Sequence, residues 1–226
     1  MARIDNTQTV NHRMGQPHFQ EYGDTFSITI TAHDAIPKAK IQLVQERMHV
    51  VLAKIECDKL PNKRARKEEI QEKYFQHIEQ LLHAKRNQEH PFNNPIAARL
   101  VADRIEAYGE KYYHLEAYSV LSNHAHLMVD FSRQCPANWD HCSPPPGYRN
   151  LPRVLSMIKG GSAYDINKAT GRKGPVWSPG YYDRYIRNQI HFTHTLFYIL
   201  RNPEKAGLVK NWREHPFTFG NSRLVG

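Results

Sequence analysis

The chain has 226 residues, enough to bury a sizeable core in one domain with embellishments and too few for two full domains to be expected. Its 31 Lys+Arg against 22 Asp+Glu leave a formal charge of +9, which favours a polyanionic partner such as nucleic acid over an anionic membrane surface. Three cysteines are too few for a disulfide framework, and no apolar run approaches the roughly 18 residues of a membrane span.

Residues 1–22 are polar with few periodic apolar positions, and read as an arm that orders late or on a partner. Their start lacks an apolar core, so the expectation is a soluble, cytoplasmic protein associated with the nucleoid and with no membrane partner. "TFSITITA", Thr25 to Ala32, alternates as a strand requires and stops before Asp34 and Pro37. From Lys38 to Cys57, Ile41, Val44, Met48, Val51, Leu52 and Ile55 recur at helical spacing, and this helix is expected to be the first crossover. A charged stretch over 57–98 follows, in which Ile70, Tyr74, Ile78, Leu81 and Leu82 share one helical face; it reads as a solvated helical insertion ended by Pro91 and Pro95.

"IAARLVADRIEAYGEKY" predicts a further helix, and "YHLEAYSVL" and "HAHLMVDF" two strands joined at Ser122-Asn123. A proline-rich loop leads to a helix over Leu151 to Thr170, a basic turn "GRKG", an interrupted strand "VWSPGYYDRYIR" and a last helix "NQIHFTHTLFYILRN" stopped at Pro203. The order β, α, β, β, α, β, α is the α+β, ferredoxin-like (RRM-like) split βαβ plan with an antiparallel sheet, plus a C-terminal helix. The expected organisation is one domain over 1–226, with its core motifs in 112–210.

Side chains two apart on a strand share a face, so His124 and His126 present two imidazoles side by side. That is a ready bidentate site for a divalent metal, although a solvated sheet face or histidines bonded to neighbours give the same short pattern. Tyr198 and Asn202 are four apart in the last helix, about 40° of rotation, and His194 lies one turn before Tyr198. On the bland reading Tyr198 is a core aromatic and Asn202 caps backbone groups. Joined to the histidines, a phenol becomes a nucleophile for phosphorus if a cation polarises the scissile phosphate. Mg²⁺ or Mn²⁺ suits two histidine nitrogens, an amide oxygen and water, Mn²⁺ tolerating the mixed set better.

Three segments, "AYSVLSNHAHLMVD", "SMIKGGSAYDINKATGRKGPVWSPGYYDRYIRN" and "FYILRNPEKAGLV", resemble the REP-associated tyrosine transposases, relatives of the single-tyrosine insertion-sequence transposases in the His-hydrophobe-His nuclease superfamily. They cover about half of the chain in the family's order. The resemblance implies that His124 and His126 bind the metal, that Tyr198 is the nucleophile and that Asn202 is the third ligand. It implies cleavage of single-stranded or hairpin DNA through a 5′-phosphotyrosine with a free 3′-OH, then rejoining by a second 3′-OH. Relatives usually carry Pro where this chain has Ser122, and the 57–98 stretch exceeds what a minimal member needs. Relatives include monomers and dimers that share active sites, so a homodimer stays open.

Phosphate contacts could come from Lys159, Arg172, Lys173, Arg184, Arg187 and Arg201, each of which by itself is more readily a solvated surface charge, and base stacking from Trp177, Tyr181 and Tyr182, each of which equally suits half-buried strand packing. Two rivals remain: a non-catalytic nucleic-acid binder that uses the sheet as an RRM does, and a zinc hydrolase built on His124, His126 and Cys142, for which no H-E-x-x-H exists.

Overall fold

Ser27, Thr29 and Thr31 alternate with Phe26, Ile28 and Ile30, and this period of two makes a strand that buries a greasy row on one face and a hydroxyl row on the other. In the computed structural model, which describes residues 8–11, 17–20, 22–33, 35–58, 62–84, 89–139 and 143–225, this strand is β3, Thr25–Thr31. It sits inside a five-stranded sheet with β4, His114–Val120, β5, His124–Asp130, β6, Tyr182–Tyr185, and β7, Thr218–Gly220. The order is β6-β3-β5-β4-β7 and every pairing is antiparallel. The four strands foreseen from the sequence take the ferredoxin-like arrangement, and β7 extends its β4 edge.

Two compact units divide the described chain, one holding 33–88 and the other the remainder. The first is a helical hairpin of α1, Lys38–Cys57, and α2, Lys63–His83. Where α1 ends and α2 begins, acidic residues of the first helix meet basic residues of the second. Glu56 and Asp58 at the end of α1 answer Lys67 and Arg66 at the start of α2, the second pair at 3.6 Å, and Lys63 Nζ donates to Glu56 O at 2.5 Å. These pairs are exposed and contribute little stability.

The expected crossover role of Lys38–Cys57 is corrected. α1 buries Met48 and Ile55, whereas α3, Pro95–Tyr112, buries Ala97, Ala98, Val101, Ala102, Ile105 and Gly109 and packs on β4 and on α4, Leu151–Thr170. Small residues along α3 let the two helices approach, and Arg104 Nε and Nη2 close on Asp165 Oδ2 at 2.8 and 2.6 Å. Asn94 and Asn150 cap these helices by accepting from Ile96 N and Arg153 N.

The other sheet face receives α5, Gln189–Leu200. Leu196, Ile199 and Leu200 pack with Ala117, Met128 and Ile186, and Tyr198 lies against this cluster. A four-residue helix α6, Asn202–Lys205, follows directly, and α7, Ser222–Val225, ends the described chain. The expected arm over 1–22 lies partly outside the described residues; within it β1, Gln8–Asn11, pairs with β2, Pro17–Gln20, as a separate antiparallel ladder.

The turn before β5 is held from two directions. Ala32 N donates to Asn123 O at 2.8 Å, and Phe92 N donates to the preceding carbonyl, Ser122 O, at 3.1 Å. No described helix is long and apolar enough to cross a membrane.

Candidate functional site

In β5, His124, His126 and Met128 face α5, while Ala125, Leu127 and Val129 face α3 and α4. Register then builds a polar row across the sheet: Tyr182 opposite Thr29, Thr29 opposite His126, His126 opposite Ser119, Ser119 opposite Thr218. Hydroxyls here are bonded rather than stranded. Ser119 Oγ and Thr218 Oγ1 lie 3.0 Å apart, and Thr218 Oγ1 lies 2.9 Å from His215 Nδ1, an imidazole whose pKa burial lowers.

Both strand histidines are buried, His124 at 1% and His126 at 0% exposure. Their outer nitrogens are held: His124 Nδ1 is 2.7 Å from Asn123 Oδ1, and His126 Nδ1 is 2.9 Å from Thr29 Oγ1. An amide oxygen only accepts, so His124 carries its proton on Nδ1 and turns the Nε2 lone pair inward. The two Nε2 atoms face each other at 3.0 Å, with ring centroids 4.6 Å apart and planes at 81°. In the tautomer that carries the His126 proton on Nε2, this separation is a hydrogen bond between the two rings. With His126 donating from Nδ1 to Thr29 instead, two lone pairs converge on one point. Two ligands about 2.1 Å from an ion and about 90° apart lie roughly 3.0 Å from each other, while a tetrahedral angle would spread them to roughly 3.4 Å. The spacing therefore suits adjacent positions of an octahedral ion.

Tyr198 is half-buried on α5, its ring 5.7 Å from that of His126 at 75°. Regular helix stops at Leu200, but Arg201 N still donates to Phe197 O at 3.0 Å and Lys205 N to Arg201 O at 3.1 Å. The turn thus survives Pro203, which takes an early position of α6 where a missing N–H costs least. Asn202 opens α6 at 0% exposure, and neither its Nδ2 nor its Oδ1 finds a hydrogen-bond partner among the described residues. A buried amide left in that state is costly unless something else occupies it. It is the donor the sequence reading assigned to a metal, and two imidazole nitrogens with one amide oxygen form a mixed set that Mn²⁺ or Mg²⁺ accepts with water. His194, one turn before Tyr198, is exposed.

The remaining candidates scatter. Arg184 lies opposite Ser27, which itself lies opposite Met128, so Arg184 and Tyr182 share the histidine face at the β6 edge. Tyr181 is half-buried just before that strand, and Arg172, Lys173 and Arg187 are exposed. Arg201 is exposed, with its guanidinium 5.6 Å from the Phe197 ring. Trp177 is buried: it bridges to Ala32, donates Nε1 to Ser162 Oγ at 3.0 Å and lies 4.6 Å from Phe92, so its ring is engaged in packing. Lys159 Nζ donates to Ser178 O and Gly180 O at 2.7 and 2.6 Å, tying the loop before β6, and burial pulls its pKa down to about 8. His141 and Cys142, and with them the zinc alternative, lie outside the described residues.

Two site residues escaped the sequence reading. By sequence alone Asn123 reads only as a turn former, and Thr29 only as a β-branched strand residue. The signal for Thr29 is in the sequence, because four hydroxyl residues, Thr25, Ser27, Thr29 and Thr31, alternate on one face of a strand whose other face is entirely apolar.

No family model and no curated protein matches the chain. Among solved structures it is similar to one described as "Structure of the REP associates tyrosine transposase bound to a REP hairpin", at 17% identity and a TM-score of 0.46, over 92% of this chain and 81% of that one.

Proposed function

We propose that the protein is a metal-dependent DNA strand transferase that uses Tyr198 to cut and rejoin single-stranded or hairpin DNA. The observation that carries this reading is convergence. The phenol ring of Tyr198 on α5 is centred 5.7 Å from the ring of His126, whose Nε2 faces that of His124, and a buried unpartnered amide lies one turn further on. Core packing alone explains an aromatic there, but leaves the amide costly and the paired nitrogens without purpose. The sequence resemblance to the REP-associated tyrosine transposases assigns the same residues to nucleophile and ligands.

In this reading His124, His126 and Asn202 hold Mg²⁺ or Mn²⁺, which when bound polarises the scissile phosphate. Asn123 and Thr29 fix the two imidazoles so that their Nε2 lone pairs point inward. Tyr198 Oη attacks phosphorus, forming a 5′-phosphotyrosine; the P–O3′ bond breaks, the phenolic proton is lost, and the 3′ oxygen leaves with a proton. Phosphodiester energy is retained in the adduct, so a second 3′-OH reverses the step. The polyanionic substrate fits a chain of formal charge +9. A sheet-face reader of the RRM kind is the weaker account, because α5 covers this face at Ala117 and Met128.

The test is a panel of end-labelled single-stranded hairpin oligonucleotides with and without Mn²⁺, scored for covalent protein–DNA adduct. Wild type is expected to form a metal-dependent adduct, and Tyr198→Phe none while DNA affinity stays within about two-fold. Adduct from the phenylalanine variant removes Tyr198 as nucleophile.

A further inference from the structure

Tyr198, Asn202 and Lys205 are spaced by four and three residues, which puts all three on one helical stripe. Along this stripe the Lys205 ammonium sits 4.1 Å from the centre of the Tyr198 ring. Its backbone is well anchored. Glu204 Oε1 accepts from Trp212 N at 2.8 Å, Ala206 N donates to Asn202 O at 2.9 Å and Leu208 N to Pro203 O at 2.9 Å. Gly207 takes φ +70° and terminates the turn, a conformation that suits glycine. Lys205 is exposed, and its ammonium lies over the ring of the phenol proposed to receive phosphorus.

We propose that Lys205 is a substrate-touching residue of this site, its ammonium holding a non-bridging oxygen of the phosphodiester as it passes onto Tyr198. The assignment rests on the strand-transfer reading and deepens it. A phosphorus joined to Oη lies two bonds beyond the ring edge, and rotation of the terminal lysine torsions carries the amine from the ring to the phosphate oxygen. In the transfer, the Oη–P bond forms and the P–O3′ bond breaks. The ammonium neither gives nor takes a proton, but offsets charge that gathers on the equatorial oxygens. An exposed cation over a ring has an ordinary packing reading as well. That reading predicts a change in stability and none in the response to substrate charge.

The experiment uses the full chain with Mn²⁺ and a saturating labelled hairpin oligonucleotide, and follows the single-turnover rate of adduct formation. Lys205→Met is expected to slow the rate about 100-fold with Kd within about two-fold, and Lys205→Arg to recover to within about ten-fold of wild type. On an oligonucleotide with a methylphosphonate at the scissile position, which lacks the charged oxygen, the Lys205→Met defect is expected to shrink below about five-fold. A Lys205→Met rate equal to wild type, or an equal defect on both oligonucleotides, overturns the lysine assignment and leaves the strand-transfer reading standing. Absence of any adduct from wild type overturns both.

Discussion

Replacing Asn202 by leucine tests the site without needing any DNA. The side chain is fully buried, and neither amide atom finds a partner among the described residues. An unsatisfied buried polar group costs about 1–3 kcal/mol, and leucine is close in shape, so the metal-free variant should be more stable by about 2 kcal/mol. For a chain of this size that raises Tm by about 4–8 °C. Metal changes the comparison. At about 100 times its Kd, an ion that binds only the folded state stabilises wild type by about 2.7 kcal/mol. Loss of one ligand that weakens binding about 100-fold cuts that increment to about 0.4 kcal/mol, so the two loaded proteins should melt close together. Thermal melts of both proteins in EDTA and in excess Mn²⁺ give all four numbers. A leucine variant that melts below wild type in EDTA shows that the amide stabilises the empty fold, and the ligand argument fails.

Two further outcomes follow from the same geometry. Thr29→Val keeps the strand shape but removes the hydroxyl 2.9 Å from His126 Nδ1, so Mn²⁺ affinity measured by calorimetry should fall about 10- to 100-fold, while Ser119→Ala, opposite His126 on the next strand, should leave it within about three-fold. Lys159 titrates near 8 when folded against 10.5 as its ordinary value, so between these pH values the unfolded chain holds the extra proton and folding releases it. Wild type should therefore gain stability relative to Lys159→Met as pH rises from about 8 to about 10.5, and urea midpoints that stay parallel across that range would contradict it.

Periodicity carried the fold where one element packs on one neighbour. The strands at Thr25, His114 and His124 and the helix at Leu151 are legible because alternation or helical spacing maps directly onto burial. It misassigned the crossover, since α1 has enough apolar residues to suggest a core helix, while the small residues of α3 that permit close packing add little to an apolar pattern. β7 was not legible: three residues, Thr218–Gly220, gain their strand character from β4 alone. At the site, residue types and spacing marked His124, His126, Tyr198 and Asn202. The second ring of contacts was hidden because Thr29 and Asn123 acquire meaning only through strand register and a turn, and Lys205 only through a helix that continues past Pro203. Trp177 looked like a stacking platform for the reason that makes it a good core residue, a large flat ring.

The two hydrogen bonds that pin the turn before β5 bear on how this chain is put together. Ala32 and Phe92 donate to consecutive carbonyls, Asn123 O and Ser122 O, so the polypeptide leaves and re-enters the sheet-bearing unit at nearly one point. The gap is roughly 10 Å, which three or four extended residues cover. Everything between is a detour that costs the sheet no strand. Lengthening such a segment does not require rethreading the sheet. The point at which the chain leaves and returns is the turn whose Asn123 Oδ1 lies 2.7 Å from His124 Nδ1.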